Sequence, residues 1–165
     1  RAAITKEYID MEKLLVWSLI KRSEMPAGRR CVKSRWVFKI KRSGIYRARL
    51  VACGYSQIPG VDFTDNYSPV VNDVTFRLLL VIWLYYHYSA KIVDVETAFL
   101  YGKLDEDIYM ECPSGLKDGS KDKVCKLNAC IYGLVQAARQ YYKHFVDIYA
   151  AAPISPHRGA LVFGG

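Results

Sequence analysis

The feature that most constrains the fold is a basic block in which apolar and charged residues alternate. Residues 29–49 contain nine Lys and Arg and no Asp or Glu. On both sides of a Ser43-Gly44 turn, aromatic or aliphatic side chains recur at every second position. This period of two is that of a β-strand, whose successive side chains point to opposite faces. The block therefore predicts a β-hairpin with its aromatic residues against a core and its cations on the other face.

The positive charge of the chain is concentrated around this block. Residues 1–53 carry 14 Lys and Arg against 4 Asp and Glu, whereas residues 54–165 carry 10 against 12. A field of this sign attracts polyphosphate, either a nucleic-acid backbone or a nucleotide. A solvated basic face without any partner is the alternative that charge alone leaves open.

The composition predicts a single domain in a reducing compartment. With 165 residues, 52% of them hydrophobic, the chain can bury a core of its own. The longest apolar stretch, 78–86, is far shorter than the ~20 residues that cross a bilayer, so it predicts a buried helix and no membrane association. The first residues do not show a charged segment followed by an apolar one, so we expect no signal peptide, and the five cysteines lack the spacing of a zinc site. We therefore expect reduced, mostly buried thiols and a protein that is not secreted.

Hydrophobic periodicity elsewhere predicts an α+β fold. Helices are expected over residues 6–20, over about 15 residues from near residue 72, and over 134–149. Strands are expected at 88–94, 108–110 and 124–127, with a long ordered loop at 54–70 and a solvated acidic turn at 105–107.

Asp94 closes one of the predicted strands. Small residues, including Ala98, follow it within a few positions and would let a substrate approach. A carboxylate at a strand end suits a hard cation such as Mg²⁺, which takes one or two carboxylates together with phosphate oxygens. A lone Asp that closes a strand is, however, far more often a turn residue or a helix cap. Asp94 taken alone leaves both interpretations open.

Six runs occur along the chain in a fixed order. They are 35–41 (RWVFKIK), 47–52 (RARLVA), 67–70 (YSPV), 93–102 (VDVETAFLYG), 108–110 (IYM) and 127–137 (LNACIYGLVQA). Together they resemble the copia-type reverse transcriptases of long-terminal-repeat retrotransposons, over roughly residues 6–148. The resemblance implies a partial right-hand polymerase fold, in which the hairpin forms the fingers and an antiparallel sheet with packing helices forms an incomplete palm. It implies one domain over residues 1–149, followed by a non-family tail over 150–165 that makes no convincing element.

The resemblance also implies roles for individual residues. Asp94 matches the first palm aspartate, a catalytic residue that would bind Mg²⁺ in a two-ion site together with the backbone carbonyl of Val95. Phe99 matches the aromatic residue that packs under the incoming sugar and excludes a ribose 2′-hydroxyl. The hairpin cations would contact triphosphate or template backbone, and which cation does which stays open. The residues implied to bind nucleotide are Lys39, Arg47, Arg49, Ala98, Phe99, Tyr132, Gly133 and Gln136.

One motif of the family is missing. The chain contains no Tyr-x-Asp-Asp run, whose aspartates complete the metal site. We expect a reverse transcriptase module of a retrotransposon polyprotein, located in cytoplasmic particles, with RNA template, DNA primer and deoxynucleoside triphosphates as partners, but incomplete and inactive as this chain. The alternative is a degenerate remnant that at most binds nucleic acid through residues 29–49. An unrelated RNA-binding α/β protein is a third hypothesis.

Overall fold

The computed structural model of the protein describes residues 1–116, 119–151 and 160–164, which form an α+β structure with a mixed sheet. Three α-helices lie within these residues: α1 (Ala2–Lys13), α2 (Asp73–Tyr85) and α3 (Ala137–Ala151). Eight strands lie there too: β1 (Trp17–Lys21), β2 (Cys31–Val32), β3 (Ser34–Ile40), β4 (Tyr46–Ala52), β5 (Ser89–Val93), β6 (Lys103–Glu111), β7 (Lys123–Ala129) and β8 (Ala160–Gly164).

The largest sheet has the strand order β1-β7-β6-β2 and carries the core. β7 pairs antiparallel with both of its neighbours, whereas β2 pairs parallel with β6. The expectation of an antiparallel sheet is therefore wrong for β2. The chain leaves β2 and returns to β6 only after the hairpin and α2, and this long connection permits the parallel direction. The largest fully buried side chains include Met11, Leu50, Ile108, Met110 and Ile131.

The predicted hairpin is confirmed, with β3 paired antiparallel to β4 from Ser34 opposite Ala52 to Ile40 opposite Tyr46. Its core face is only half covered. Leu50 is fully buried beneath α1, but Phe38, two positions further towards the tip than Trp36, is 64% exposed. The expectation that all the aromatic residues of this face meet a core is therefore wrong near the tip, which α1 covers only in part.

The first predicted helix is wrong beyond Lys13. Leu15 adopts a positive φ of 49°, and the chain then turns into β1. Trp17 lies opposite Leu127 of β7 in an antiparallel pair. Apolar residues at helical spacing continue through 14–20. If the helix continued as well, the backbone N–H and C=O groups of β7 that now pair with β1 would lose their partners. Tertiary pairing therefore overrides the local periodicity.

Helix α2 begins as predicted but is not buried. The side chain of Asn72 caps the helix by accepting a hydrogen bond from the Val74 amide at 2.8 Å. No residue of α2 is buried, and Leu78 and Val81 are 57% and 62% exposed. The prediction of a buried helix over 78–86 is thus wrong among the described residues. No described helix combines the length and apolar character needed to span a bilayer.

Two further expectations need correction. The acidic residues at 105–107 lie within β6 rather than in a solvated turn, and Asp105 accepts a hydrogen bond from Lys143 at 2.6 Å. In the segment expected to make no element, β8 pairs in parallel with β5. The predicted strands at 88–94 and 124–127 are confirmed as β5 and β7, and all five cysteines are free thiols.

Candidate active site

A cleft of about 500 Å³ opens between the hairpin, the segment that follows β5, and α3. A fourth part of the chain, the loop at Ser68 and Pro69, also contributes to its walls. Of the residues predicted to act on nucleotide or metal, those that line it are Arg49, Asp94, Val95, Ala98, Phe99 and Tyr132. The fold therefore brings most of the predicted site to one place.

Asp94 stands at the mouth of the cleft. It follows β5 directly and is exposed to solvent. The chain then turns through Thr97, whose φ of 56° lies in the left-handed region, into a 3₁₀ turn at Ala98–Tyr101. This sharp turn places Ala98 and Phe99 in the same cleft as the carboxylate. Glu96, two positions after Asp94, is not a wall residue.

Glu96 is engaged with α1 instead. Lys6 Nζ lies 3.1 Å from Glu96 Oε1, and both side chains are mostly exposed. The hydrogen bond from Lys6 lowers the pKa of Glu96 below its ordinary value. Glu96 is therefore paired with α1 and, unlike Asp94, does not line the cleft.

The donors around Asp94 do not fit a pair of metal ions. Asp94 is the only acidic residue among the described residues that line the cleft. Across residues 1–116, 119–151 and 160–164, no three His, Cys, Asp or Glu side chains lie close enough to hold a metal ion. Two-ion nucleotidyl transfer needs carboxylates that bridge ions about 3.5–4 Å apart. A single carboxylate beside the Val95 carbonyl cannot supply them.

One wall of the cleft is aromatic and carries a cation. The guanidinium carbon of Arg49 lies 4.4 Å from the centre of the Tyr132 ring, within the range of a cation–π interaction. Tyr132 meets Phe99 edge-on with centroids 5.2 Å apart, and Phe99 meets Tyr141 edge-on at 6.2 Å. Burial raises the pKa of the Tyr132 hydroxyl above its ordinary value. Such a wall can contact a sugar or base with its rings and a phosphate with its cation.

The other two predicted hairpin cations lie outside this cleft but on the same strand face. In the antiparallel register Lys39 stands opposite Arg47, and Val37 stands opposite Arg49. Residues opposite one another project from one face of a sheet. Lys39, Arg47 and Arg49 also line a second concavity of about 410 Å³, which continues towards Lys41 and Arg42 at the tip. These five cations form a row from the cleft to the tip of the hairpin, which we call the basic strip.

Gly133 and Gln136 lie behind the cleft wall rather than in it. Gln136 is fully buried, and its Oε1 accepts a hydrogen bond from Gln57 Nε2 at 3.0 Å. Gly133 has a φ of +88°, and a Cβ placed on it would lie 2.3 Å from the carbonyl oxygen of Ala52. Neither residue lines the cleft, and the nucleotide contacts predicted for them stay predictions.

The first turns of α3 supply wall residues that the sequence interpretation missed. They are Ala138, Tyr141, Tyr142 and Phe145. Their spacing of three, one and three residues puts them on one side of a helix. This periodicity was available in the sequence, but nothing in it showed that this helix face borders Asp94.

Comparison with known families matches residues 15–158 to the family described as reverse transcriptase (RNA-dependent DNA polymerase). The chain belongs to this reverse transcriptase family. The matched residues include all six runs and every described residue of the cleft wall. They extend past residue 149, so the domain limit at that residue and the non-family tail remain predictions.

Several curated relatives of this reverse transcriptase chain are Pol polyproteins of copia-type transposons. The chain is 44% identical over 142 residues to the retrovirus-related Pol polyprotein from transposon TNT 1-94 of Nicotiana tabacum, with 82% of the chain and 11% of the relative covered. It is 38% identical over 132 residues to the corresponding polyprotein from transposon RE2 of Arabidopsis thaliana, with 76% and 9% covered. It is 31% identical over 144 residues to the truncated transposon Ty1-A Gag-Pol polyprotein of Saccharomyces cerevisiae, with 86% and 12% covered.

The chain thus spans only about a tenth of the length of these polyproteins. It is a part of a reverse transcriptase domain of the copia type. No solved structure matches the chain.

Proposed function

We propose that the chain is the fingers hairpin and part of the palm of a right-hand RNA-directed DNA polymerase, acting within a retrotransposon Pol polyprotein. The observation that carries the proposal is the single cleft that unites Asp94, Phe99, Tyr132 and Arg49 from separate runs of the sequence. Together these groups could bind a deoxynucleoside triphosphate: the two aromatic rings would contact its sugar or base, the guanidinium its phosphates, and the carboxylate a metal ion bound to those phosphates. We further propose residues 1–149 as the domain and cytoplasmic particles as its location.

Each wall residue has a distinct role in this proposal. Phe99, held edge-on by Tyr132 and Tyr141, presents a rigid ring to the sugar and leaves no room for a 2′-hydroxyl. Arg49 contacts phosphate from the cleft side. Lys39 and Arg47, further along the basic strip, contact the phosphates of the template strand or the triphosphate tail. RNA template and DNA primer are the proposed macromolecular substrates.

The proposed metal ion is Mg²⁺. Reverse transcriptase domains use a divalent ion, which aligns a primer hydroxyl and neutralises triphosphate charge when it is bound. Asp94 and the Val95 carbonyl would be the ligands from this chain. Because one carboxylate does not fit two ions, further carboxylates are required from outside the described residues. The 165-residue chain is therefore expected to bind its substrates without catalysing extension.

Template-primer binding tests the substrate assignment. We expect sequence-independent affinity that falls as salt rises, and a weaker affinity with a shallower salt dependence for the double variant Arg47→Ala/Arg49→Ala. Lys121→Ala, which removes one positive charge outside the residues that line the concavity of the strip, serves as the control. Equal binding by the double variant and the wild type at every salt concentration would refute the basic strip as the contact surface.

A non-catalytic remnant that only binds nucleic acid is the second candidate, and the single acid of the cleft favours it. Two observations separate the candidates. Primer extension on an RNA template with Mg²⁺ is expected to be absent for this chain, and extension that Asp94→Asn abolishes would contradict the incomplete site. A Tyr-x-Asp-Asp codon run in any frame downstream of codon 165 would support the polymerase module, and its absence in every frame would support the remnant.

A further inference from the structure

Two segments that are far apart in sequence join directly behind the aromatic wall of the cleft. They are residues 51–62, which form the end of β4 and the loop after it, and residues 131–136, which lead into α3. The Ala52 amide donates a hydrogen bond to the Tyr132 carbonyl at 2.7 Å, and Val51 forms a parallel bridge with Tyr132. The backbone that carries the Tyr132 ring is thus tied to the end of the strand that carries Arg49.

Two glycines allow this approach. A Cβ on Gly54 would lie 2.1 Å from the carbonyl oxygen of Gly133, and a Cβ on Gly133 would lie 2.3 Å from that of Ala52. Both distances are too short for any side chain, and both obstacles are backbone atoms that cannot move aside independently. The two segments therefore meet at a distance that only glycine permits.

A buried pair of amides closes the junction. Gln57 Nε2 donates to Gln136 Oε1 at 3.0 Å, while Gln57 Oε1 accepts from the Val135 amide at 2.8 Å. Gln136 Nε2 in turn donates to the Asp62 carbonyl at 2.8 Å. Gln57 is 7% exposed and Gln136 is fully buried. Because buried amides are costly when they lack partners, these bonds favour one relative position of the two segments.

We propose that Gln57 and Gln136 are positioning residues that hold the Tyr132 ring beneath the Arg49 guanidinium. Neither amide reaches the cleft, so each acts through the Val135 and Tyr132 backbone. The fixed Tyr132 ring in turn holds the Arg49 guanidinium in one position, from which it contacts a phosphate. The inference deepens the proposed function and rests on it for the identity of the ligand, but the geometry it assigns can be measured without any ligand.

The test uses 3-fluorotyrosine at position 132 in the 165-residue chain, because the fluorine resonance reports the Phe99 ring and the Arg49 charge directly. Gln136→Leu is expected to shift or broaden this resonance and to lower template-primer affinity about 10-fold, at a temperature where the variant is folded. Gln140→Leu is the matched control: Gln140 is a similarly buried amide, 4% exposed, whose partner is Asp105. It is expected to lower the melting temperature while leaving the resonance in place and the affinity within about 2-fold.

An unchanged Tyr132 resonance in folded Gln136→Leu would overturn the proposal. If that variant does not fold, Gln57→Met provides the same test from the less buried partner, with the same expected shift. Arg49→Ala separates this inference from the proposed function. Wild-type affinity in Arg49→Ala would refute the nucleotide role of the cleft, whereas the fluorine shift in Gln136→Leu would still decide whether the amide pair positions Tyr132.

Discussion

The four-stranded sheet and helix α2 are both rich in apolar side chains, yet only the sheet buries them. Ile108 and Met110 of β6 are at most 1% exposed, whereas Leu78 and Val81 of α2 are more than half exposed. β6 and β7 have neighbours on both sides in the order β1-β7-β6-β2. By contrast α2, which is apolar at every position from Leu78 to Tyr85, has no buried residue. A helix of that composition is typical of a protein interior. The difference shows that apolar residues can define a helix or a strand in the sequence, whereas the burial of their side chains depends on which other segments pack against that helix or strand.

The largest effect is expected from truncating a core side chain. Ile131 is fully buried in the cluster beneath the sheet. Ile131→Ala should lower the free energy of unfolding by about 2–5 kcal/mol, because it removes buried methylenes and leaves a cavity. Leu78→Ala on α2 should cost less than about 1 kcal/mol, since its side chain already contacts water. Urea unfolding monitored by circular dichroism measures both, and equal losses would break the comparison.

A slightly smaller loss is expected at the glycine junction. Gly133→Ala should cost about 2–4 kcal/mol, because it combines a left-handed φ with a backbone clash. Gly60 has a similar φ of +77°, but a Cβ added to it would meet nothing within 4 Å. Gly60→Ala should therefore cost only the conformational penalty of about 1–2 kcal/mol. The difference in melting temperature between the two variants measures the cost of the clash. Equal melting temperatures would show that β4 shifts to accommodate the new methyl group.

Polar substitution on α2 should change association more than stability. Leu78→Lys with Val81→Lys replaces two side chains that are 57% and 62% exposed. The free energy of unfolding should stay within about 0.5 kcal/mol for each change, while the apolar patch that promotes aggregation is interrupted. Light scattering during concentration measures the association, and Ser120→Lys at another exposed position provides a surface control. A marked loss of stability would show that this face is covered in solution.

The smallest effects are expected from two carboxylates with opposite pH dependence. Burial beneath β4 raises the pKa of Glu7 above its ordinary 4.5, so the stability linked to its protonation is present below pH 4.5 and lost as pH rises through the raised pKa. Lys6 lowers the pKa of the exposed Glu96, so that contribution is present above pH 4.5 and lost as pH falls through the lowered pKa. Across the acid-to-neutral range, and relative to wild type, Glu7→Gln should gain stability as pH rises above 4.5, whereas Glu96→Gln should lose it as pH rises through the lowered pKa to 4.5. Melting temperatures across this range measure both, and parallel trends would contradict the assignment.

The sequence predicted those elements whose signals are local. Asn72 marks the start of α2, and the alternation around Gly44 marks the hairpin, because a cap and a turn are decided by adjacent residues. β1 was missed since only the distant edge of β7 makes residues 17–21 a strand. The residues of the cleft show the same contrast between local signals and distant partners. Asp94 and Phe99 belong to one continuous run of the sequence, whereas the pairing of Gln136 with Gln57, 79 positions away, has no local signal.

The register of the hairpin also limits how this gene can change length. Arg49, Arg47 and Lys39 share one face only because paired strands keep the same parity from Ser34 to Ala52. Insertion or loss of one codon within β4 would send the cations beyond that point to the face that now holds Leu50, and would bring apolar side chains to the face of the basic strip. Two codons would preserve the face. Related genes that keep this hairpin should therefore show insertions or deletions of an even number of codons within its strands. Insertions or deletions of an odd number of codons should be confined to the turn.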